Sequence, residues 1–256
     1  MDDWTLENRV AVVTGASSGI GAATAQLLKK RGAHVLAIAR NAERLEALRD
    51  SSGVDILALA LGSPRSCETA MAQARKEGPV AILVNCAGRG GYLDRPIWEQ
   101  TSENWRATQE TNLDVPFELT KLAAQDIHRQ GWGRVVMISS TAGEVGAPSQ
   151  PAYCASKHGI IGLMRATAMD LAPHGGTCNA VLPGWVRTEM AEQDAIAEAN
   201  TRDMTPEEVW IERDAQSPAG RVARAEEVAQ MVAFLASPAA SAVNAQTITV
   251  SMGSVW

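Results

Sequence analysis

Aromatic residues are scarce in this chain: two tyrosines and two phenylalanines accompany seven tryptophans among 256 residues. With so few phenols available, the placement of each one carries information. Cysteine is also thin. Cys67, Cys86, Cys154 and Cys178 form no CxxC pair and no metal-ligand spacing, so the expectation is four reduced thiols and no metal. The four histidines, His34, His128, His158 and His174, have no ligand spacing either. No apolar run reaches the roughly 18 residues that a membrane span requires. No Lys/Arg-rich run is present and the net charge is -6, which argues against nucleic acid as a partner. Repeats, low-complexity tracts and linkers are missing. The first residues, MDDWTLENR, are acidic and polar and do not read as a signal peptide. A cytoplasmic protein with neither a membrane nor a nucleic-acid partner is expected.

What is there is a regular alternation. Apolar runs at 9–13, 34–39, 56–60, 82–85, 134–139, 177–182 and 246–250 read as strands. Helical patterns separate most of them, at 19–31, 42–50, 64–77, from 102, from 115 to about 129, at 153–171 and at 225–235. Strands joined by helices of this length imply crossovers and a parallel sheet. Runs such as VAVV and VVMI lack period-two alternation, which fits strands covered on both faces. The length fits a single domain over 1–256. The long connection from Gly184 to about Arg224 is too long for a plain loop, so helical turns and a functional insertion over 185–216 are expected.

After the first strand comes TGASSGIG, Thr14 to Gly21. A glycine turn between a first strand and a first helix lets the backbone approach a pyrophosphate, with the helix N-terminus facing its charge. Gly15, Ser17, Ser18, Gly19, Ile20 and Gly21 are therefore candidate cofactor contacts. The fold expected is α/β, a Rossmann-like doubly wound parallel sheet of about seven strands with helices on both faces. Tyr153 and Lys157 form an i, i+4 pair near the start of a helix. Ser140 ends a strand 13 residues upstream. In an open parallel sheet the carboxyl ends of the strands face the ligand crevice, where all three could converge.

With both features present, the chain resembles the short-chain dehydrogenase/reductase family over essentially its whole length. The resemblance rests on Thr14–Gly21, on Asn85-Cys86-Ala87-Gly88, on Asn112, on Ser140 with Tyr153 and Lys157, and on Pro183-Gly184 with Thr188. It implies an oxidoreductase that moves a hydride between a nicotinamide and a ketone or secondary alcohol. Tyr153 would be the acid/base and Ser140 would bind the substrate oxygen, with Ser139 as a rival set aside by the spacing. Lys157 would lower the Tyr153 pKa and bind the nicotinamide ribose, and Asn112 would hold a relay water. Bringing a phenol from about 10 to about 7 needs about 4 kcal/mol. One ammonium at about 4 Å in an effective dielectric near 20 supplies about that much. The resemblance also marks Asn85, Ala87, Gly88, Pro183, Gly184, Val186 and Thr188 as cofactor contacts. It implies a homotetramer built on the helices near 115–129 and 153–171.

Cofactor choice turns on the end of the second strand, Ala39-Arg40, where no carboxylate would repel a 2′-phosphate. Arg40 could pair with that phosphate, so NADP(H) is preferred and NAD(H) remains an alternative. Leu59-Ala60-Leu61-Gly62 lacks the acid that the family usually places near the adenine, and Ser18 stands where some NADP-dependent members carry a basic residue. Tyr92, Glu144, Gln150, Trp185, Met190 and Trp210 are the candidate substrate contacts. With only Arg129 and His174 as basic residues near the entrance, free small ketones are favoured over carrier-linked ones. Residues 191–205 carry few large apolar side chains to anchor a lid. Two other readings stay open: a dinucleotide-binding regulator without catalysis, and an epimerase or dehydratase on the same fold.

Overall fold

The computed structural model describes residues 4–90 and 95–254. Seven parallel strands form one sheet in the order β3-β2-β1-β4-β5-β6-β7. They are β1 (Val10–Thr14), β2 (His34–Ala39), β3 (Asp55–Ala58), β4 (Val80–Asn85), β5 (Gly133–Ile138), β6 (Gly176–Pro183) and β7 (Thr247–Val250). The helices are α1 (Gly19–Lys30), α2 (Ala42–Ser52), α3 (Pro64–Ala74), α4 (Ser102–Gln109), α5 (Val115–Gln130), α6 (Pro151–Leu171), α7 (Glu189–Arg202), α8 (Pro206–Gln216) and α9 (Ala225–Leu235). The doubly wound sheet is the one expected from the alternation of patterns.

Successive residues of β1 show why the strands read as unbroken apolar runs. Ala11 and Val13 pack under α1, α2 and α9, with Ala25, Leu28, Leu45, Val228 and Val232. Val10 and Val12 pack on the other face with Met71, Leu119, Ile160 and Met164 of α3, α5 and α6. Both faces of the strand are thus dry, and no polar alternation is possible. The chain reverses direction across the sheet between β1 and β4, which opens a crevice at their carboxyl ends.

Three details refine the sequence pattern. Helix α6 starts at Pro151, where a proline needs no N–H partner, so Tyr153 lies inside its first turn. Helices α4 and α5 are joined by a π-helical turn over Glu110–Asp114. Pro116 has no N–H, so the carbonyl of Asn112 loses its i+4 donor and the helix widens there. The insertion is two capped helices: Thr188 accepts from Ala191 N at the head of α7, and Thr205 and Glu208 form a capping box on α8.

That insertion has its own small core. Ala191, Ala195 and Ala199 make a face of small residues against which Val209 and Trp210 pack, with Trp185 and Val222 at the edge. Trp210 is 1% exposed. The lack of large apolar residues on α7 is therefore not a lack of packing, because its alanines let α8 come close. Truncating Trp210 to alanine should cost about 3–5 kcal/mol locally, the usual scale for a buried aromatic. Amide hydrogen exchange across residues 189–216 should speed at least about tenfold in Trp210→Ala, and the strands of the sheet should keep their protection.

Candidate active site

The glycine turn is packed so closely that side chains do not fit. Gly15 has φ +66, and a Cβ there would lie 2.8 Å from the Cα of Ala87. At Gly21 a Cβ would lie 2.3 Å from the carbonyl oxygen of Gly15. Gly19 has φ +53 and touches Thr188, whose Cγ2 would be 3.0 Å from an added Cβ. Thr14 fixes the arrangement. Its hydroxyl accepts from the N–H groups of Cys86 and Ala87, both at 3.0 Å, so the end of β1 is tied to the turn after β4. The open N-terminus of α1, capped by no side chain of Ser18, faces this crevice. Such a cradle fits a pyrophosphate: exposed N–H groups, a helix dipole and no side chain in the way. Ser17 and Ile20 lie half-buried within the same turn.

At the carboxyl end of β5, the two adjacent serines separate into different jobs. Ser139 is buried and its hydroxyl donates to the carbonyl of Lys157 at 2.9 Å, so it braces α6 against the strand. Ser140 accepts from Ala142 N at 3.2 Å and is hydrogen-bonded to the Tyr153 phenol. Lys157 is 5% exposed, and its ammonium donates to the Ile138 carbonyl at 2.8 Å and sits 5.6 Å from the centre of the Tyr153 ring. Gly88 packs against that ammonium, 3.6 Å from an added Cβ.

The electrostatics differ from the simple expectation. Burial pushes the half-buried Tyr153 phenol up to about 12, opposed by the bond from Ser140 and aided by the Asp194 carboxylate. Burial pulls the Lys157 ammonium down to about 8, with Cys86 opposing. In the chain alone, then, desolvation is the leading effect on both groups, and the phenol is not lowered towards neutrality. Burial also pushes the Cys86 thiol up to about 12, so that sulfur stays a neutral packing atom.

Asn112 is committed through its side chain. It accepts from Arg89 N at 2.7 Å and donates to Arg89 O and Ser156 Oγ, both at 3.0 Å. The amide therefore locks residues 88–90 onto α6, while Pro116 supplies no N–H to the Asn112 main-chain carbonyl. Asn85 is placed elsewhere than expected. Its amide donates to Thr120 at 3.1 Å and to the Met137 sulfur at 3.2 Å, inside the core, and its carbonyl oxygen has no partner among the described residues. It braces β4 against α5, while Ala87 and Gly88 line the crevice. Gly184 also has no room for a side chain, with Ser251 Cβ 2.8 Å from an added Cβ. Pro183 ends β6, and Val186 bridges to Ala223. Arg40 stands exposed at the end of β2.

The candidate substrate contacts scatter. Gln150 lines a narrow recess beside Tyr153 with Gln100, Asn104, Thr108 and Ser149. Met190 is half-exposed and packs over Gly90. Glu144 is exposed on the turn after β5. Tyr92 lies outside the described residues. Trp210 is not at the recess: it is buried between α7 and α8, and its Nε1 donates to Glu192 at 2.7 Å. Trp185 is stacked by Arg213, 3.6 Å from its ring centre, against the same cluster. Asp194 was not singled out in the sequence, yet α7 brings its carboxylate beside Gly90 and within electrostatic reach of Tyr153. Only the four-residue step from Met190 on a helix could have pointed to it.

Known proteins resemble the chain along nearly its whole length. A family model described as enoyl-(acyl carrier protein) reductase matches residues 15–254. A 3-oxoacyl-(acyl-carrier-protein) reductase FabG of Escherichia coli is 36% identical, over 97% of this chain and 98% of that one. An acetoacetyl-CoA reductase of Rhizobium meliloti is 38% identical, over 96% and 98%. A crystal structure of an actinorhodin polyketide ketoreductase variant with NADPH superposes with a TM-score of 0.90 at 38% identity, covering 96% of this chain and 98% of that one.

A buried ammonium is a stability liability with a defined pH signature. The folded pKa of Lys157, about 8, lies below its ordinary value of 10.5. The unfolded chain therefore holds the proton more tightly, and stability rises with pH between those two values. Below pH 8 the full penalty applies, about 3 kcal/mol at about 1.4 kcal/mol per pKa unit. Lys157→Met should accordingly raise the unfolding free energy at pH 7 and lose most of that gain by pH 10, as chemical denaturation at the two pH values would show.

Proposed function

Since the chain belongs to the short-chain dehydrogenase/reductase family and is a nicotinamide-dependent oxidoreductase, we propose that it is an NADP(H)-dependent ketoreductase acting on a 3-ketoacyl thioester. The observation that carries the reaction type is the Ser140–Tyr153–Lys157 cluster beside the glycine cradle. Bound NADPH would supply a hydride to the carbonyl carbon, and the oxidised form would accept one in reverse. Tyr153 donates its phenolic proton to the carbonyl oxygen as that oxygen gains charge, or accepts a proton in alcohol oxidation. Ser140 gives the same oxygen a second hydrogen bond. The Lys157 ammonium stabilises the phenolate left behind. A water on the Asn112 carbonyl returns the proton from solvent.

The substrate class is supported by the names of the relatives, two of which state a 3-ketoacyl thioester. This moves the reading away from the free small ketones that the acidic composition favours, which remain the second choice. The 2′-phosphate reading is supported by Arg40 and by the solved relative with NADPH. Residues 1–256 act as one cofactor-binding and catalytic domain, with the 185–216 insertion covering the substrate end. Exposed Trp105, Phe117 and Met169 on α4, α5 and α6 support association into a homotetramer.

Two variants test the reading. Tyr153→Phe keeps the ring and removes the proton, so acetoacetyl-CoA reduction followed by nicotinamide absorbance should fall at least about a hundredfold with NADPH binding retained. Near-normal turnover would sink the mechanism. Arg40→Ala should weaken NADPH by about 1.5–3 kcal/mol and leave NADH nearly untouched. A wild-type protein that prefers NADH would return the assignment to an NAD-dependent alcohol dehydrogenase.

A further inference from the structure

Arg44 and Glu189 join two parts of the molecule that are 145 residues apart in sequence. Arg44 lies in the first turn of α2, just beyond Arg40 and the end of β2, and its backbone N–H is held by the Asn41 side chain at 3.0 Å. Glu189 is the first residue of α7. The preceding residue, Thr188, rests on Gly19 of the glycine turn. The two side chains meet as a fork: Nη2 reaches Oε1 at 2.8 Å, and Nη1 is paired with Oε2. The pair thus bridges the start of α2, just after β2, and the head of the insertion.

This placement gives Arg44 a second possible partner. In a doubly wound sheet, the residues after the second strand face the 2′ position of the ribose. A guanidinium fork fits a phosphate as well as it fits a carboxylate. Arg40, its neighbour there, has no carboxylate partner among the described residues. Glu189 occupies the Arg44 fork, and both side chains are nearly half exposed. Exposed pairs of this kind are weakly held. A 2′-phosphate carries up to two charges and would meet two arginines at once.

Resting on the NADP(H) reading above, we propose that Arg44 is a second determinant of cofactor specificity, exchanged from Glu189 to the 2′-phosphate when NADP(H) binds. Glu189 acts as an internal stand-in for that phosphate. It keeps the guanidinium aimed across the crevice and sets a threshold that only a phosphorylated cofactor crosses. NADH has nothing to exchange, so the Arg44–Glu189 pair persists in its complex. Selectivity then comes from Arg40 and Arg44 together, with Glu189 tuning its size.

The test is equilibrium binding of NADPH and of NADH, read by nicotinamide and tryptophan fluorescence without any turnover. Arg44→Ala should weaken NADPH at least about tenfold, the loss of a charge-assisted bond, and leave NADH unchanged. Arg44→Lys, which keeps the charge and loses the fork, should fall between. Glu189→Gln should tighten NADPH by about three- to fivefold, the most that an exposed pair can withhold. That gain should vanish in the Arg44→Ala background. Equal weakening of both cofactors by Arg44→Ala, or an unchanged NADPH affinity in Glu189→Gln, overturns the proposal. If Arg40→Ala abolishes selectivity and Arg44→Ala leaves it intact, the exchange is wrong and the cofactor reading stands. A wild-type preference for NADH overturns both.

Discussion

The structure hangs on a backbone contact that leaves no space for a methyl group. Gly15 lies against Ala87, and Gly21 against the Gly15 carbonyl. Because these turns touch, the ends of β1 and β4 are held side by side, and Thr14 seals them with two hydrogen bonds. Everything on the chemical side of the crevice follows in sequence. Ala87 fixes Gly88, and Gly88 sits between the Lys157 ammonium and the Asn112 side chain. Asn112 then bonds Arg89 on one side and Ser156 of α6 on the other. A glycine turn shaped to fit a pyrophosphate is thereby coupled, through these short contacts, to the helix that carries Tyr153.

The second constraint is electrostatic and works against stability. Lys157 is a buried cation with no carboxylate partner among the described residues, held by a carbonyl at 2.8 Å and faced by a tyrosine ring. Burial lowers its pKa and raises that of the phenol. Both shifts favour the neutral pair in the chain alone. The groups are therefore poised: any positive charge entering the crevice, or any developing negative charge on a bound oxygen, meets dipoles and hydrogen bonds already in place. Sites of this kind cost stability and gain a preorganised environment.

Much of this was legible in the sequence because it is short-range. The glycine spacing, the serine 13 residues before a tyrosine and the lysine one turn later all report backbone geometry within a single crossover. The strands were legible because both faces of β1 are dry. What failed was side-chain direction. Asn85 belongs to the right turn, but its amide points into the core towards Thr120 and Met137. The resemblance makes Asn112 a relay residue; its side chain bonds Arg89 and Ser156, and Pro116, four residues on, supplies no N–H to its main-chain carbonyl. Asp194 escaped notice because a carboxylate in an acidic helix has no local mark that distinguishes it.

The tryptophans show why large residues in a loop are poor evidence for a substrate pocket. Arg9 and Arg134 both lie over the Trp132 ring, at 4.0 and 4.5 Å from its centre. Trp4 carries Arg31, and Arg213 lies over both Trp185 and Trp210. An indole offers a broad face to a weakly hydrated guanidinium, so this pairing is favoured wherever the two are brought together. In the insertion it has a further consequence. Arg213 is 4% exposed, and its guanidinium also reaches the Ala191 carbonyl at 3.1 Å and Glu198 at 2.9 Å. Arg202 joins the same Glu198 and Glu212 of α8. Helices α7 and α8 are thus held by alanines that allow close approach and by arginines that stack on indoles and bridge glutamates. Trp185 and Trp210 fasten the insertion from within, which leaves the surface over the recess to Met190 and Asp194.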